Sequence, residues 1–246
     1  MAAAFEILDL VATRQVPPRL VNVVSELEIP KTSAIRILHT MASLSILRRD
    51  QDGVYHLGPK IHEYLDTRPA TESTLLNEFD LVAHQFRDDY NETVQLAVLD
   101  GNNVTFIAKV DSTRSVRLVT RVGRQLPAHS TAVGKSILAF EDSKVIESIL
   151  AAGLTKIGPR TITDKREFVA ALEEVRQLGY AVEREESTED LSCISAPVFD
   201  RAGLVCAGFT VCIPMAEVPQ QRLQTLVLAV KHAALGLSKS LGITEH

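Results

Sequence analysis

Residues 31–57 read KTSAIRILHTMASLSILRRDQDGVYHL, and this stretch decides the fold of the first part of the chain. Apolar residues recur through its first half at the spacing of a helix, at Ala34, Ile37, Leu38, Met41 and Leu44. The second half reads as two short strands around an Asp52-Gly53 turn, which is a hairpin signal. Two shorter helical patterns precede the stretch. Three helices followed by a hairpin predict a winged helix-turn-helix domain over residues 1–58.

The polar face of the third predicted helix suits the major groove of DNA. It is short, rich in hydroxyl groups and basic, with no acid between Lys31 and Arg49. Arg36 can reach a guanine edge, while the polar groups at the helix start can hold phosphates. Arg48 and Arg49 lie where the wing of such a domain meets the DNA backbone. The predicted DNA-binding residues are Lys31, Thr32, Ser33, Arg36, His39, Arg48 and Arg49.

The alternative is an ordinary solvated helix face, because the N-terminal domain is not basic as a whole. Residues 1–66 contain seven Lys and Arg against eight Asp and Glu. Four of those seven basic residues nevertheless lie in the third helix and the wing, which favours DNA binding. Double-stranded DNA is therefore the expected macromolecular partner.

The composition points to a soluble chain with a sizeable core. The 246 residues are 46% hydrophobic, enough for one large or two ordinary domains, and the net charge is −5. The cysteines Cys193, Cys206 and Cys212 form no CxxC motif, and the N-terminus lacks the basic region of a signal peptide. The longest uncharged run, residues 202–216, is too short to cross a bilayer. We expect a cytoplasmic protein with reduced thiols, no membrane partner and no cofactor.

The rest of the chain is predicted to form a linker and a larger α+β domain. A short helix and the polar stretch TRPAT assign residues 59–71 to the linker helix and the domain boundary. Over residues 72–246, strand patterns alternate with helices, which is typical of an antiparallel or mixed sheet with helices packed on it. Strands are predicted at 93–100, 104–110, 116–119, 180–183, 193–199 and 204–212, and helices at 130–140, from 163 onward and at 219–241.

Residues 128–138, AHSTAVGKSIL, look like the end of a phosphate-binding loop. The full motif needs a glycine five places before the glycine of the GK pair, and that place holds His129, so no nucleotide is expected. A helix that begins near Ser130 still points backbone N–H groups and a positive dipole end at an anion, which suits a carboxylate. The alternative is that Ser130 or Thr131 only caps the helix. Lys135, one turn further on, is expected to be solvated or to lie at an interface.

Several motifs then resemble one family of regulators. They are LPAHSTAVGKSILA (126–139), GYAVEREE (179–186), LSCISAPVFD (191–200) and GFTVCIP (208–214), together with IPKTSAIRILHTM (29–41). In this order and spacing they resemble the IclR family of bacterial transcriptional regulators, over nearly the whole chain. The resemblance implies a winged helix-turn-helix, a linker helix and a GAF-like effector-binding domain. It also implies a repressor or activator that acts as a homodimer or a dimer of dimers and responds to small organic acids, aromatic ones included.

The resemblance further implies which residues bind the effector. They are His129, Ser130, Thr131, Ala132, Glu183, Cys193, Thr210 and Cys212. The chain departs from the family pattern at some of them, because the family usually has Asp in place of Glu183 and two serines in place of Thr210 and Cys212. The turn before the recognition helix also carries Glu28-Ile29 where Gly-Leu is usual. Because a thiol hydrogen-bonds less well than a hydroxyl, we expect an acid larger or less polar than a two-carbon one.

Other functions remain open on the residues alone. Cys193 with His129 would suit a cysteine-dependent hydrolase or acyltransferase, although neither lies in a nucleophile motif. His129, Glu183 and Cys193 would suit a metal, yet no ligand spacing supports one, so none is expected. A sensor module with a degenerate DNA-binding head is a further alternative, because Glu28 is acidic and the N-terminal charge is balanced. Apart from Glu183, the acids of residues 183–190 are expected to form a solvated loop. We predict a ligand-responsive regulator rather than an enzyme.

Overall fold

The computed structural model describes residues 2–66, 70–114, 121–214 and 219–243. The chain divides into two compact units, Met1–Pro69 and Ala70–His246. Buried apolar side chains form one cluster in the first unit and further clusters in the second, so each unit has a core of its own. The architecture is α+β, as the sequence predicted.

The first unit runs helix, helix, helix, hairpin, helix. Its elements are α1 Ala2–Thr13, α2 Leu20–Leu27, α3 Lys31–Ser43, β1 Leu47–Arg49, β2 Tyr55–Leu57 and α4 Lys60–Asp66. The two strands pair antiparallel, with Arg48 opposite His56. This order confirms the predicted winged helix-turn-helix, with α3 in the position of the recognition helix and the hairpin as the wing.

Helix α3 turns one side to the core and the other to solvent. Ala34, Leu38 and Met41 are buried in the same cluster as residues of α1, α2 and the hairpin. Their spacing of three and four residues places them on one helical face. Leu44, which shares the apolar pattern, is exposed just beyond the end of the helix. Packing therefore fixes which side of α3 remains available to a partner.

The turn between α2 and α3 carries backbone strain at Glu28. This residue has φ 52° and ψ 31°, in the left-handed region. Glycine adopts that conformation at little cost, whereas a side chain with a Cβ is disfavoured there. The position is the one where the family resemblance suggested a glycine, so the departure from the pattern has a structural cost.

The second unit is built on a curled antiparallel sheet with helices on both faces. Its elements are α5 Ala70–Tyr90, β3 Thr93–Asp100, β4 Asn103–Val110, β5 Gln125–Pro127, α6 Ala132–Leu138, α7 Ser143–Ala152, α8 Lys165–Leu178, β6 Ala181–Arg184, β7 Leu191–Phe199, β8 Val205–Pro214 and α9 Gln220–Ser240. The strand order is β5-β4-β3-β8-β7-β6, with β5 and β6 at the two edges.

Alternation along β7 and β8 separates the two faces of the sheet. Ile194, Phe209 and Val211 pack in one cluster with residues of α5 and α9. Cys193 and Cys212 belong to a different cluster, which includes residues of α6 and α8. Because successive side chains of a strand point to opposite faces, the polar positions of both strands gather on the α6 side. That side of the sheet holds the candidate effector site.

Three elements of the second unit differ from the sequence prediction, and one of them is strand β5 at Gln125–Pro127, which was not predicted. The helix predicted at 130–140 is shorter, because a 3₁₀ turn occupies Ala128–Ser130 and α6 begins only at Ala132. Helix α7 was not predicted, although Asp142 caps it by accepting a hydrogen bond from the backbone N–H of Lys144. The strand predicted at 116–119 lies outside the described residues. Among the helices in the described ranges, none is long and apolar enough to cross a membrane.

Candidate DNA-binding face and effector cavity

The outer side of α3 is exposed and positively charged. Lys31, Thr32, Arg36 and His39 are exposed, and Ser33 is half-buried. Neither Lys31 nor Arg36 makes an ion pair with any residue that the structure describes. Both cations are therefore free to meet phosphates or base edges, which is what a recognition helix requires.

The wing is a tight hairpin that holds two arginines at its first strand. Asp50 builds its turn, because its carboxylate accepts hydrogen bonds from the backbone N–H groups of Asp52 and Val54 at 3.0 and 2.9 Å. Arg48 and Arg49 are both exposed. The guanidinium of Arg49 lies 5.8 Å from the centre of the Tyr55 ring, a cation–π contact, so this arginine is partly committed to the wing itself.

A small cavity lies between the sheet and α6 in the second unit. Six of the eight predicted effector residues line it, namely Thr131, Ala132, Glu183, Cys193, Thr210 and Cys212. It is further lined by Gln95, Phe106, Arg124, Leu126, Val133, Ser187, Thr188 and Leu191. The volume open to a water-sized molecule is only about 20 Å³, close to that of one water. An effector larger than water would therefore have to displace part of this lining.

His129 and Ser130 are buried but do not line the cavity. The Nε2 atom of His129 is 2.9 Å from the carbonyl oxygen of Thr155, and its ring meets Phe168 edge-on at 6.3 Å. The Ser130 hydroxyl donates to the carbonyl oxygen of Pro127 at 3.0 Å. The hydrogen bonds of both side chains stabilise the 3₁₀ turn before α6. Thr131, the next residue, does line the cavity.

The GKS triplet that resembled a phosphate loop has packing roles instead. A Cβ on Gly134 would overlap the carbonyl oxygen of Ala128, so only glycine fits there. Ser136 exchanges a hydrogen bond with Ser195 of β7 at 2.9 Å. Lys135 is only 3% exposed, and its ammonium lies 2.5 Å from Glu186 and 3.3 Å from the carbonyl oxygen of Val182. The expectation that Lys135 is solvated was wrong, because the residue neutralises a buried acid.

The loop over residues 185–190 contributes Ser187 and Thr188 to the lining of the cavity and is only partly solvated. Glu186 is buried with Lys135, contrary to the expectation of a fully solvated acidic loop. Glu183, at the end of β6, accepts hydrogen bonds from the N–H of Glu186 at 2.8 Å and from the hydroxyl of Ser187 at 3.0 Å. Both oxygens of Glu183 therefore hold the loop in place beside the cavity.

Two buried carboxyl groups, those of Glu183 and Glu186, have raised pKa values. Burial raises the pKa of Glu183, because the charged form loses its hydration, and the hydrogen bonds from Glu186 and Ser187 oppose that rise. Burial also raises the pKa of Glu186, against the attraction of Lys135. The charged form of Glu183 is thus less favourable at the cavity wall than it is in water.

Two thiols face each other at the back of the cavity. Cys193 and Cys212 are paired directly across β7 and β8, and their sulfur atoms are 2.8 Å apart. The contact with Cys212 and burial raise the pKa of Cys193 well above its ordinary value, so it stays a neutral thiol. Cys193 and His129 do not form the nucleophile–base pair of the alternative enzyme, because each is engaged with a different partner.

Arg124 is the functional candidate that the sequence did not reveal. It lies just before β5 and is half-buried at the cavity, and its carbonyl oxygen accepts a hydrogen bond from the N–H of Phe106 at 3.0 Å. Gln95 of β3 was also missed, although its position in the sheet, opposite Thr210, brings it to the same wall. Neither belongs to a motif, so only the register of the strands reveals them. Among the described residues, no group of three side chains could hold a metal ion.

A winged helix-turn-helix followed by an α+β unit with a small cavity is typical of a ligand-responsive DNA-binding regulator. Two family models match the chain, the IclR helix-turn-helix domain over residues 3–51 and the bacterial transcriptional regulator IclR C-terminal domain over residues 69–239. The chain belongs to the IclR family of bacterial transcriptional regulators.

Individual relatives support this assignment along most of the chain. The HTH-type transcriptional regulator KdgR of Escherichia coli is 33% identical over 218 residues, which cover 88% of this chain and 82% of KdgR. KipR of Bacillus subtilis, also an HTH-type transcriptional regulator, is 32% identical over 233 residues, 92% of this chain and 90% of KipR. The crystal structure of Thermotoga maritima IclR matches with a TM-score of 0.76 at 27% identity and covers 98% of both chains.

Proposed function

We propose that this IclR-family regulator binds operator DNA through α3 and the wing and is controlled by a small organic carboxylate, aromatic acids included, in the second unit. The single observation that carries the proposal is the presence, in the same chain, of an exposed basic recognition helix and a small cavity lined by both apolar and polar residues. The proposed DNA contacts are Lys31, Thr32, Ser33, Arg36, His39, Arg48 and Arg49.

The roles of these DNA contacts follow from their positions. Arg36 lies on the exposed face of α3, where a guanidinium can form two hydrogen bonds to a guanine. Lys31 and Thr32 lie at the start of the helix, where phosphates are met, and Arg48 lies on the wing. Two copies of the chain would present two such heads, and the half-site spacing would select one arrangement of them.

The effector would act by changing that arrangement. An acid that enters the cavity must displace part of its lining, because the cavity has room for about one water. The described polar residues of the wall include Thr210, Gln95 and Arg124. The soft thiol wall of Cys193 and Cys212 favours a ligand with an apolar body. Binding shifts the DNA affinity only if the acid prefers one state of the regulator.

A gel-shift titration on the chain's own promoter region tests the DNA side. We expect Arg36→Ala to cost about 1–3 kcal/mol on the specific site and to relax its specificity. Arg48→Ala should weaken binding on all sequences and lower the slope of log K against log salt by about one. Lys60→Ala is the matched control, since its ammonium is engaged by Glu63 at 2.5 Å in the same unit.

The same titration decides the proposal as a whole. Lys60→Ala should retain the wild-type salt slope, and acetate, pyruvate or benzoate should change the retardation of the wild type. Wild-type protein that gives no salt-sensitive specific complex, with or without these acids, would overturn the function proposed here.

A further inference from the structure

The carboxylate needs a positive partner, and the short helix α6 does not supply it. Helix α6 has only seven residues, and its first turn is already capped because the hydroxyl of Thr131 accepts a hydrogen bond from the N–H of Gly134 at 2.9 Å. Lys135, the cation of the same helix, is bound to Glu186. Neither the N-terminus of α6 nor Lys135 is therefore available to neutralise a bound carboxylate. A positive charge for that carboxylate would come from another residue of the cavity wall.

Arg124 is the cation that the cavity leaves unused. Among the lining residues that the structure describes, it alone carries a permanent positive charge, and it forms no ion pair or side-chain hydrogen bond with any other described residue. Its backbone carbonyl accepts a hydrogen bond from the N–H of Phe106 of β4 at 3.0 Å, so the residue that carries this guanidinium is anchored beside the cavity. The carboxylate in the lining, Glu183, is held by the loop instead of by this arginine.

We propose that Arg124 pairs with the carboxylate of the effector and makes the cavity selective for anionic ligands over neutral ones of the same shape. The inference rests on the proposed function, since it names the recognition group of that effector site. A guanidinium offers two parallel N–H donors to a carboxylate, and such charge-assisted pairs are roughly twice as strong as neutral hydrogen bonds. The apolar part of the acid would then face Leu126, Phe106 and the thiol wall.

The test compares acids with their neutral amides on the full chain. The probes are acetate and acetamide, pyruvate and pyruvamide, and benzoate and benzamide. Their binding is measured by thermal shift and by calorimetric titration. The variants are Arg124→Gln, Arg124→Lys and the control Arg121→Gln, which removes an exposed arginine three residues earlier. The unliganded melting temperature and circular dichroism of each variant verify that it folds.

We expect at least one acid to stabilise the wild type while its amide does not. Arg124→Gln should raise the Kd of that acid about tenfold or more, and Arg124→Lys should raise it less, because an ammonium keeps the charge and loses the second donor. Arg121→Gln should keep the wild-type Kd. Equal affinity of Arg124→Gln and wild type, equal affinity for acid and amide, or no binding of any of the three acids would each overturn the role of Arg124.

Failure of this inference is distinguishable from failure of the proposed function. An acid that binds wild type and Arg124→Gln equally and still changes the retardation of promoter DNA leaves the carboxylate-controlled regulator intact and removes only Arg124. If the chain binds an acid through Arg124 but forms no specific DNA complex, the role of Arg124 stands and the proposed regulator function is overturned.

Discussion

At the scale of single residues, the GKS triplet has a different role in this protein from the one it has in a phosphate-binding loop. In a phosphate loop, glycine lets the backbone wrap an anion and lysine reaches it. In this protein Gly134 allows α6 to approach the carbonyl oxygen of Ala128, and Lys135 neutralises Glu186. The missing first glycine of the motif is the reason to expect no nucleotide, but it could not reveal that the lysine is buried. That depends on Glu186, which lies 51 residues further along the chain.

The first prediction concerns this close approach. We expect Gly134→Ala to destabilise the second unit by about 1–3 kcal/mol or more, because the added methyl group meets backbone that cannot move aside cheaply. Gly236→Ala is the control, since Gly236 lies in α9 with open space where its methyl group would lie, and alanine should add up to about 1 kcal/mol of helix stability. Scanning calorimetry of both variants measures the two effects. Equal stability of the two variants would contradict the packing role of Gly134.

A second prediction follows from the buried carboxyl of Glu183. Because its pKa is raised in the folded chain, its contribution to stability is full below the ordinary pKa of about 4.3 and is lost as pH rises through the folded value. The stability of wild type relative to Glu183→Gln should therefore be greatest at acidic pH and fall toward neutrality. Calorimetry of both proteins from about pH 4 to about pH 8 measures this difference. If the difference in stability stays constant or grows with pH, the pKa of Glu183 is not raised in the folded chain.

At the scale of elements, the sequence predicted most helices and strands because each carries a local signal. The hairpin at Asp52-Gly53 and the cap of α8 at Asp164 are such signals. Helix α7 was missed although it has the cap Asp142, since its apolar pattern is short. The cavity was only partly predictable. Motif residues such as Cys193 lie in recognisable strings, whereas Arg124 reaches the site through pairing of its segment with β4, which no local pattern encodes.

A third prediction belongs to the turn between α2 and α3. The left-handed region costs a residue with a Cβ about 1–2 kcal/mol, and the extra freedom of an unfolded glycine offsets about 0.5–1 kcal/mol of that difference. We therefore expect Glu28→Gly to stabilise the first unit by about 0.5 kcal/mol. Glu28→Ala is the control, because it removes the charge but keeps the Cβ, and it should not stabilise. Urea unfolding of the first unit gives both values, and a gain with alanine equal to that with glycine would locate the cost in the charge instead.

At the scale of the whole molecule, charge is segregated rather than abundant. The net charge of −5 opposes nonspecific attraction to DNA, while the exposed face of α3 and the wing concentrates basic residues in the first unit. Specific binding must then come from a small number of well-placed contacts, and for that reason each substitution in the gel-shift experiment should have a measurable effect. The second unit follows the same pattern, because we expect one arginine, in a cavity that also contains the buried Glu183, to determine which ligands bind.

The buried lysine of α6 has a further consequence at the rim of the sheet. Strand β6 is the last strand on its side, and an unpaired strand of this kind invites a strand from another molecule to align with it. The ammonium of Lys135 lies against the carbonyl oxygen of Val182 in that strand and is held there by Glu186. A carbonyl oxygen that a buried ammonium engages is not available to an aligning strand. The residue that first looked like part of a nucleotide site thus satisfies one hydrogen-bond acceptor of an edge strand.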